Sequence, residues 1–461
     1  MDVNEFKKSI AGEEVVVIGI GVSNIPLIKF LTENGANVIA HDRRNIEQLG
    51  DIYHDLEKLG VKFVLGDTYL DKVSSKAKTI YKTPGVRKDV PVLKTASENG
   101  VKVTSEMELF FELCPAKIIS VTGSDGKTTT TSLIYDMITR AGYNCYLGGN
   151  IGTPLIGEID KIKSDDVVVL ELSSFQLHTM HKSADVAVVT NVTPNHLDWH
   201  TDFQEYIDSK KAIFSYQNLD GKVILNYDNE ITRNFAPETN NFIYFSSKNK
   251  IENGYRLDGN MITFAENGNI KREVLDVRDI YIPGMHNVEN YMAAIAATNG
   301  MVNDEIIRKT AKEFKGVPHR IEFVREVLGV KYYNDSIASS PARTTAGLSS
   351  FDDKVILIAG GYDKKIPFDD FGAVVNENVK KLVLCGLTAG KIKAAVTNAT
   401  NFENLPIFEC NDFEEAINTA KNIAEPGDTV ILSPACASFD LFKNFEERGN
   451  TFKDIVNSLI C

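Results

Sequence analysis

The chain lacks any long apolar run. No stretch approaches the roughly 18 uninterrupted apolar residues that a membrane-spanning helix needs. It also lacks an excess of positive charge: 50 basic residues against 63 acidic ones leave a net charge of −13. A nucleic-acid-binding surface is therefore not expected, whereas an anionic small substrate needs only a local basic site. The six cysteines (Cys114, Cys145, Cys385, Cys410, Cys436 and Cys461) show no C-x-x-C spacing. That argues against a zinc site and for reduced thiols. The opening MDVNEFKKSIAGEE has no apolar signal-peptide core, so a cytoplasmic, monomeric protein without a membrane span is expected. Solenoid-period repeats and low-complexity linkers are absent as well.

What is present is ordinary globular composition, 43% hydrophobic and 25% charged, over 461 residues. That length predicts about three domains. Short apolar runs alternate with helix-period stretches almost throughout. EEVVVIGIGVSNIPLIKFLTENGANVIAHD reads as strand, glycine turn, helix and strand. KIISVTG opens a second such unit, which DDVVVLELSSFQL and ADVAVVTNVTPNHLD continue with buried-strand patterns. The turn-rich stretch from about Gly221 to Val277 reads as an antiparallel insertion. After GVPHRIEFV come four more apolar strands, in VKYYNDS, KVILIAGG, KLVLCG and DTVILSPA. The expected organisation is three α/β domains, residues 1–115, 116–316 and 317–461, with mostly parallel sheets.

The most informative motif is VTGSDGKTTTT. A full phosphate-binding loop, G-x-x-x-x-G-K-[ST], would put its first glycine at position 121, which is Val121. Here Gly123 precedes Gly126 in a shortened G-x-x-G-K-T. The context of strand, glycine turn and helix suits phosphate: Lys127 can reach terminal phosphates and Thr128 can ligate Mg²⁺. Glu171 closes the strand DVVVLE, where a carboxylate is costly unless it binds something, the alternative being one that caps a neighbouring turn. Asn191, His196, Asp198 and His200 follow another strand; a histidine ligand is unusual for Mg²⁺ and implies a second, less demanding metal position. Tyr206 and Lys210 lie one helical turn apart, and composition alone makes Lys210 a solvated surface lysine. In the first unit Gly19, Gly21 and Asp42 match part of a dinucleotide fingerprint, but Asn24 replaces its third glycine. The turn could equally be plain fold geometry. Asp335, Ser336, Ser433, Ser438, Lys443 and Phe445 sit in polar knots after strands, which either cradle a ligand or form ordinary turns.

Taken in order, TGSDGKTTT, GGNIGTPL, LELSSFQL, NVTPNHLD, HNVENYMAAIAA, GVPHRIE, NDS and LSPACASFDLFKNFEERG resemble the Mur ligases over nearly the whole chain. These are ATP-dependent amide-forming enzymes of peptidoglycan precursor synthesis. The last motif is similar to that of the branch that adds D-glutamate to UDP-N-acetylmuramoyl-L-alanine. The resemblance implies Rossmann-like first and last domains around a central P-loop ATPase-like domain.

It implies ATP and two Mg²⁺ ions, with Gly123, Ser124, Asp125, Gly126, Lys127, Thr128 and Thr129 around the phosphates. Asn287 and Asn290 would face adenine, and Arg320 and Asp335 would also contact ATP. Thr128, Glu171, His196 and Lys210 would serve the metals, Lys210 as a carbamylated lysine; Lys127, His196 and Lys210 would be the catalytic set. Gly19, Gly21, Val22, Ser23, Asp42, Thr83, Pro84, Gly85, Asn150, Ser173 and His196 would hold the UDP substrate. Lys364, Ser438 and Phe445 would hold D-glutamate. Ile337 stands where many members carry lysine, which leaves the contacts around Ser339 open. A sibling or folylpolyglutamate-type ligase, a nicotinamide oxidoreductase and a non-catalytic nucleotide-binding module are the competing expectations.

Overall fold

The computed structural model describes residues 2–71, 73, 76–197, 199–351, 353–363 and 367–459. Contacts divide the chain into two compact units, Met1–Ile280 with Met285–Lys312, and Tyr281–Gly284 with Glu313–Cys461. The first unit contains two sheets and the second contains one.

The first sheet is entirely parallel. From edge to edge it runs Lys62–Leu65, Asn37–Asp42, Glu14–Ile18, Thr79–Lys82, Lys102–Thr104. Val15, Val16, Val17 and Ile18 are all buried, as a central strand covered on both faces requires. Strand order reverses between Glu14–Ile18 and Thr79–Lys82, and such a reversal opens a crevice at the strands' carboxyl ends.

The second sheet has nine strands. Its parallel part runs Cys145–Gly149, Val167–Glu171, Lys117–Thr122, Val186–Val189, Lys222–Asn226, Phe242–Ser246 and Gly254–Asp258. Met261–Glu266 and Asn269–Asp276 then extend the same sheet antiparallel. The antiparallel part is thus shorter than the stretch 221–277 expected from its turns. Lys222–Asn226 and Phe242–Ser246 join the parallel ladder because their intervening segment forms short helical turns, Glu230–Arg233 and Ala236–Glu238, that carry the chain back across the sheet.

Both sheets share a unit because one apolar cluster runs through them. Leu27, Ile28 and Leu31 of the helix Asn24–Glu33 belong to the same buried cluster as Leu155, Ile156 and Ile159. The Ala-rich helix Met285–Ala297 is buried on nearly every face and packs against the helix Lys127–Arg140.

In the second unit the order is Glu322–Val327, Val330–Asn334, Thr429–Leu432, Val355–Ala359, Val379–Leu384, Ile407–Glu409. Only the first pair is antiparallel. Helices cover both faces, giving two core clusters around Ile356, Ile358 and Val430 and around Leu357, Leu382 and Ile431.

Candidate active site

The strand Lys117–Thr122 runs into Gly123, and the helix Lys127–Arg140 starts immediately after Gly126. Gly123 has φ +151° and Gly126 φ +78°. A Cβ at Gly123 would collide with the Thr190 hydroxyl, and one at Gly126 with Asn290 Oδ1, so only glycine fits either position. The loop between them is held by its neighbours. Thr190 Oγ1 donates to Asp125 O at 2.6 Å, and Asp125 N donates to Asn191 Oδ1 at 2.9 Å. Ser124 Oγ donates to Thr193 O and meets the Tyr206 hydroxyl, each at 2.9 Å.

Lys127 Nζ folds back over the loop and donates to the carbonyls of Gly123 (2.9 Å) and Ser124 (2.8 Å). Its charge therefore lies at the helix N-terminus, where backbone N–H groups already favour an anion. Thr128 and Thr129 continue that first turn. Asn290 and Asn287 come to the same place from a distant helix. Thr130 Oγ1 donates to Asn290 Oδ1 at 3.2 Å, and Asn290 Nδ2 donates to Asn287 Oδ1 at 3.1 Å.

Two ionisable groups lie buried beside this loop. Glu171 is 2% exposed; its Oε1 accepts from Asn150 Nδ2 at 2.9 Å, while Oε2 has no hydrogen-bond partner. An orphaned buried carboxylate oxygen is costly and fits a cation ligand. Lys210 is 1% exposed, contrary to the surface lysine its composition alone implied. The helix Phe203–Lys211 carries it under the phosphate loop, where Nζ donates to Gly123 O at 2.8 Å. Burial pushes its ammonium well below the ordinary lysine value. Lys127 adds to this effect, and Asp125 and Glu171 oppose it.

His196 lies on the exposed loop after Val186–Val189, with φ +54°. Its ring packs edge-on against Phe175 at 4.9 Å. Asp198 lies outside the described residues. His200 is buried, and its Nε2 lies 3.1 Å from Ser174 Oγ. Among the described residues no three His, Cys, Asp or Glu side chains form a metal cluster.

In the first sheet, Gly19 has φ +89°, and a Cβ there would lie 2.9 Å from Thr83. Gly21 faces open space, and Val22 is exposed. Asn24, the residue in place of the third glycine, is buried and ties the turn down: its Nδ2 donates to Ile18 O at 3.1 Å and Gly19 O at 2.8 Å. Asp42 accepts from Ile20 N at 2.7 Å and binds Arg44 through both carboxylate oxygens at 2.9 Å. Although burial opposes it, hydrogen bonding to Arg44 and the backbone leaves the Asp42 carboxyl below its usual value. Arg44 was not legible as a site residue, since nothing marks it in sequence beyond its charge. Ser173 serves as a helix cap, its hydroxyl accepting from Gln176 N at 3.3 Å.

In the second unit Asp335 is buried. It accepts from Ser433 Oγ at 2.7 Å and Ile321 N at 3.2 Å, and burial pushes its carboxyl up to about 7. Arg320 is half-buried nearby and favours the ionised form of Asp335. Ser336 Oγ donates to Phe445 O at 2.8 Å. Buried Arg448 donates to Ser336 Oγ, Ser336 O, Cys436 O and Ala437 O, binding the NDS and SPACAS loops together. Ser438 is buried and Phe445 half-buried, at the start of the last helix. Lys364 lies outside the described residues.

A phosphate loop with a buried lysine and an orphaned glutamate defines a nucleotide-using α/β protein. Three family models match the chain: Mur ligase MurD-like, N-terminal domain, over residues 13–105; Mur ligase middle domain, over 121–298; and Mur ligase, glutamate ligase domain, over 319–436. The chain belongs to the Mur ligase family. It is 54% identical over 461 residues to the UDP-N-acetylmuramoylalanine--D-glutamate ligase of Acetivibrio thermocellus, covering 99% of this chain and 98% of that protein. The protein of the same name from Ruminiclostridium cellulolyticum is 51% identical over 460 residues, with the same coverage. Among solved structures, the fold is similar to UDP-N-acetylmuramate-alanine ligase from Thermotoga maritima, with TM-score 0.58 and 19% identity over 97% of this chain and 99% of that one.

Proposed function

We propose that the chain is an ATP-dependent ligase that joins D-glutamate to UDP-N-acetylmuramoyl-L-alanine through an acyl phosphate. The observation that carries the chemistry is the placement of Lys127, Glu171 and Lys210 around one glycine-walled loop. The near-complete likeness to ligases of that name, at about half identity, supports the choice of amino acid.

A carboxylate is a poor acyl donor, because its leaving group would be oxide. Transfer of the γ-phosphoryl group of ATP turns that oxygen into phosphate. The loop's N–H groups and Lys127 meet the charge on the phosphates during transfer. The amine of D-glutamate then attacks the acyl carbon, loses a proton, and expels phosphate from a tetrahedral intermediate. Asn287 and Asn290, which the resemblance assigns to adenine, would meet a nucleotide whose phosphates occupy the loop.

Glu171, Thr128, His196 and a carbamylated Lys210 are the residues that would hold Mg²⁺; the orphaned Glu171 Oε2 fits that role. When bound, the metal neutralises charge building on the phosphoryl oxygens. Carbamylation needs a neutral amine, and burial favours that form at Lys210. Carbon dioxide adds to the amine, one proton leaves, and a carboxylate appears where an ammonium stood. The carbamate keeps one N–H, which can still donate to Gly123 O. In the first sheet, the open face of Gly21 and the turn Thr83–Gly85 would receive the UDP moiety at the strand-order reversal. In the second unit, Ser438, Phe445 and Lys364 would receive D-glutamate.

The decisive measurement is phosphate release in the presence of ATP, UDP-N-acetylmuramoyl-L-alanine and one amino acid at a time. Release that requires both the nucleotide-sugar and D-glutamate supports the reading. Equal release with L-glutamate, lysine or no amino acid sinks it.

A further inference from the structure

Arg87, Trp199 and Glu205 lie far apart in sequence and form one contact network. Arg87 follows the turn Thr83–Val86, which Val86 N closes onto Thr83 O at 3.1 Å. Its Nη1 donates to Trp199 O and to Glu205 Oε2, each at 3.0 Å, and Nη2 donates to Glu205 Oε1 at 2.8 Å. The guanidinium also lies 5.0 Å from the centre of the Trp199 ring. The indole returns the contact, Nε1 donating to Gly85 O at 3.2 Å. Each segment therefore offers a side chain to the other's backbone, a reciprocal lock between two loops.

Beyond the lock, the contacts continue to the residues around the phosphate loop. Trp199 N and His200 N both donate to His196 O at 3.1 Å, so Trp199, His200 and His196 form one turn. Phe175 packs against all three rings, at 4.9 Å from His196, 4.8 Å from Trp199 and 5.9 Å from His200. Glu205 also accepts from Thr201 N at 2.8 Å and lies 3.1 Å from His178 Nε2. It belongs to the same helix, Phe203–Lys211, that places Lys210 under Gly123. Arg87 holds the Glu205 carboxyl far below its usual range, so this carboxylate stays ionised and paired.

We infer that Arg87, acting through Trp199 and Glu205, is a positioning residue that couples the turn Thr83–Gly85 to the His196 loop, so that the nucleotide-sugar and a divalent cation bind cooperatively. The inference rests on the proposed function, which places the nucleotide-sugar at that turn and the cation at that loop. A substrate that settles the turn also settles Gly85 O and Arg87, and through them the carbonyls and rings that hold His196. A cation that settles His196 acts in the opposite direction with the same coupling, as linkage requires. The Arg87 and Glu205 side chains are only 20% and 22% exposed, so removing one partner also costs stability, and the test must be read on folded protein.

The test measures Mn²⁺ affinity by paramagnetic resonance of the free ion, with saturating non-hydrolysable ATP analogue, with and without UDP-N-acetylmuramoyl-L-alanine. In the unaltered protein the nucleotide-sugar tightens Mn²⁺ on the order of 10-fold. Arg87→Met abolishes that factor in protein that is still folded, at a lower thermal midpoint, while the affinity for nucleotide-sugar alone is kept. Arg87→Lys restores only part of it, because an ammonium cannot make the two-pronged, stacked contact. Full coupling in Arg87→Met, or none in the unaltered protein that binds both ligands, overturns the inference. If Arg87→Met does not fold, Glu205→Gln decides: it keeps the side chain's shape and removes the charge that Arg87 pairs with, and undiminished coupling there also overturns it. Failure of the unaltered protein to bind the nucleotide-sugar at all would instead strike the proposed function.

Discussion

Lys210 holds its side-chain nitrogen 2.8 Å from the carbonyl oxygen of Gly123, so a buried lysine supports the phosphate loop. Lys127 Nζ donates to the same carbonyl, at 2.9 Å. Two lysines converging on one peptide oxygen repel one another, which is part of why the Lys210 ammonium is disfavoured. Converting Lys210 to a carbamate replaces that repulsion with attraction.

Lys210→Ala therefore removes activity, and a short-chain carboxylate supplied in solution restores part of it. The check is ligation rate against carboxylate concentration, with a short-chain amine as control. Rescue by the amine, or none by the carboxylate, contradicts a carboxylate role at this position.

Lys127→Ala lowers kcat by about 10²–10³-fold, the usual cost of removing one preorganised charge from a transition state. The affinity for UDP-N-acetylmuramoyl-L-alanine measured by calorimetry stays unchanged, because Lys127 Nζ reaches the loop carbonyls of Gly123 and Ser124, whereas the UDP moiety is proposed to sit at the turn of the first sheet. Retained turnover would remove Lys127 from its assigned part.

Glu171→Gln keeps the shape of the side chain and discards its charge. The amide can still contact Asn150, but it is a poor cation ligand, so the Mg²⁺ concentration for half-maximal rate rises at least about 10-fold. Titrating Mg²⁺ against initial rate reads this directly.

Gly126→Ala forces a Cβ onto Asn290 Oδ1 and a left-handed backbone onto alanine. The backbone cost alone is about 1–2 kcal/mol. A lower thermal midpoint together with weaker ATP binding is expected, since the displaced Asn290 is paired to Thr130 and Asn287.

Asp335 carries a pH dependence of stability. Its carboxyl holds a proton up to about 7 in the folded chain, against an ordinary value of 3.8. Between these limits the folded state binds the extra proton, so this contribution is full below the ordinary value and is lost as pH rises through about 7. Asp335→Asn should flatten that part of the midpoint-versus-pH curve. An unchanged curve would mean that Asp335 is ionised when folded.

Much of this protein was legible in the sequence because the relevant chemistry is local. A buried strand, two glycines and a lysine at the start of a helix are contiguous, and helix geometry alone aims their N–H groups at a phosphate. The parallel sheets were legible for the same reason, since uninterrupted apolar runs such as Val15–Ile18 need cover on both faces. The tertiary structure alone decided which polar residues are buried and what they meet. Lys210 reads as a surface lysine until the helix Phe203–Lys211 is placed under Gly123. Asn24 reads as a defect in a glycine pattern until its amide is seen closing the turn. Arg87 and Glu205 show no relation at all until two loops are brought side by side. Contacts between distant segments leave no period or spacing in the chain; they arise only when shared apolar cores bring the sheets together.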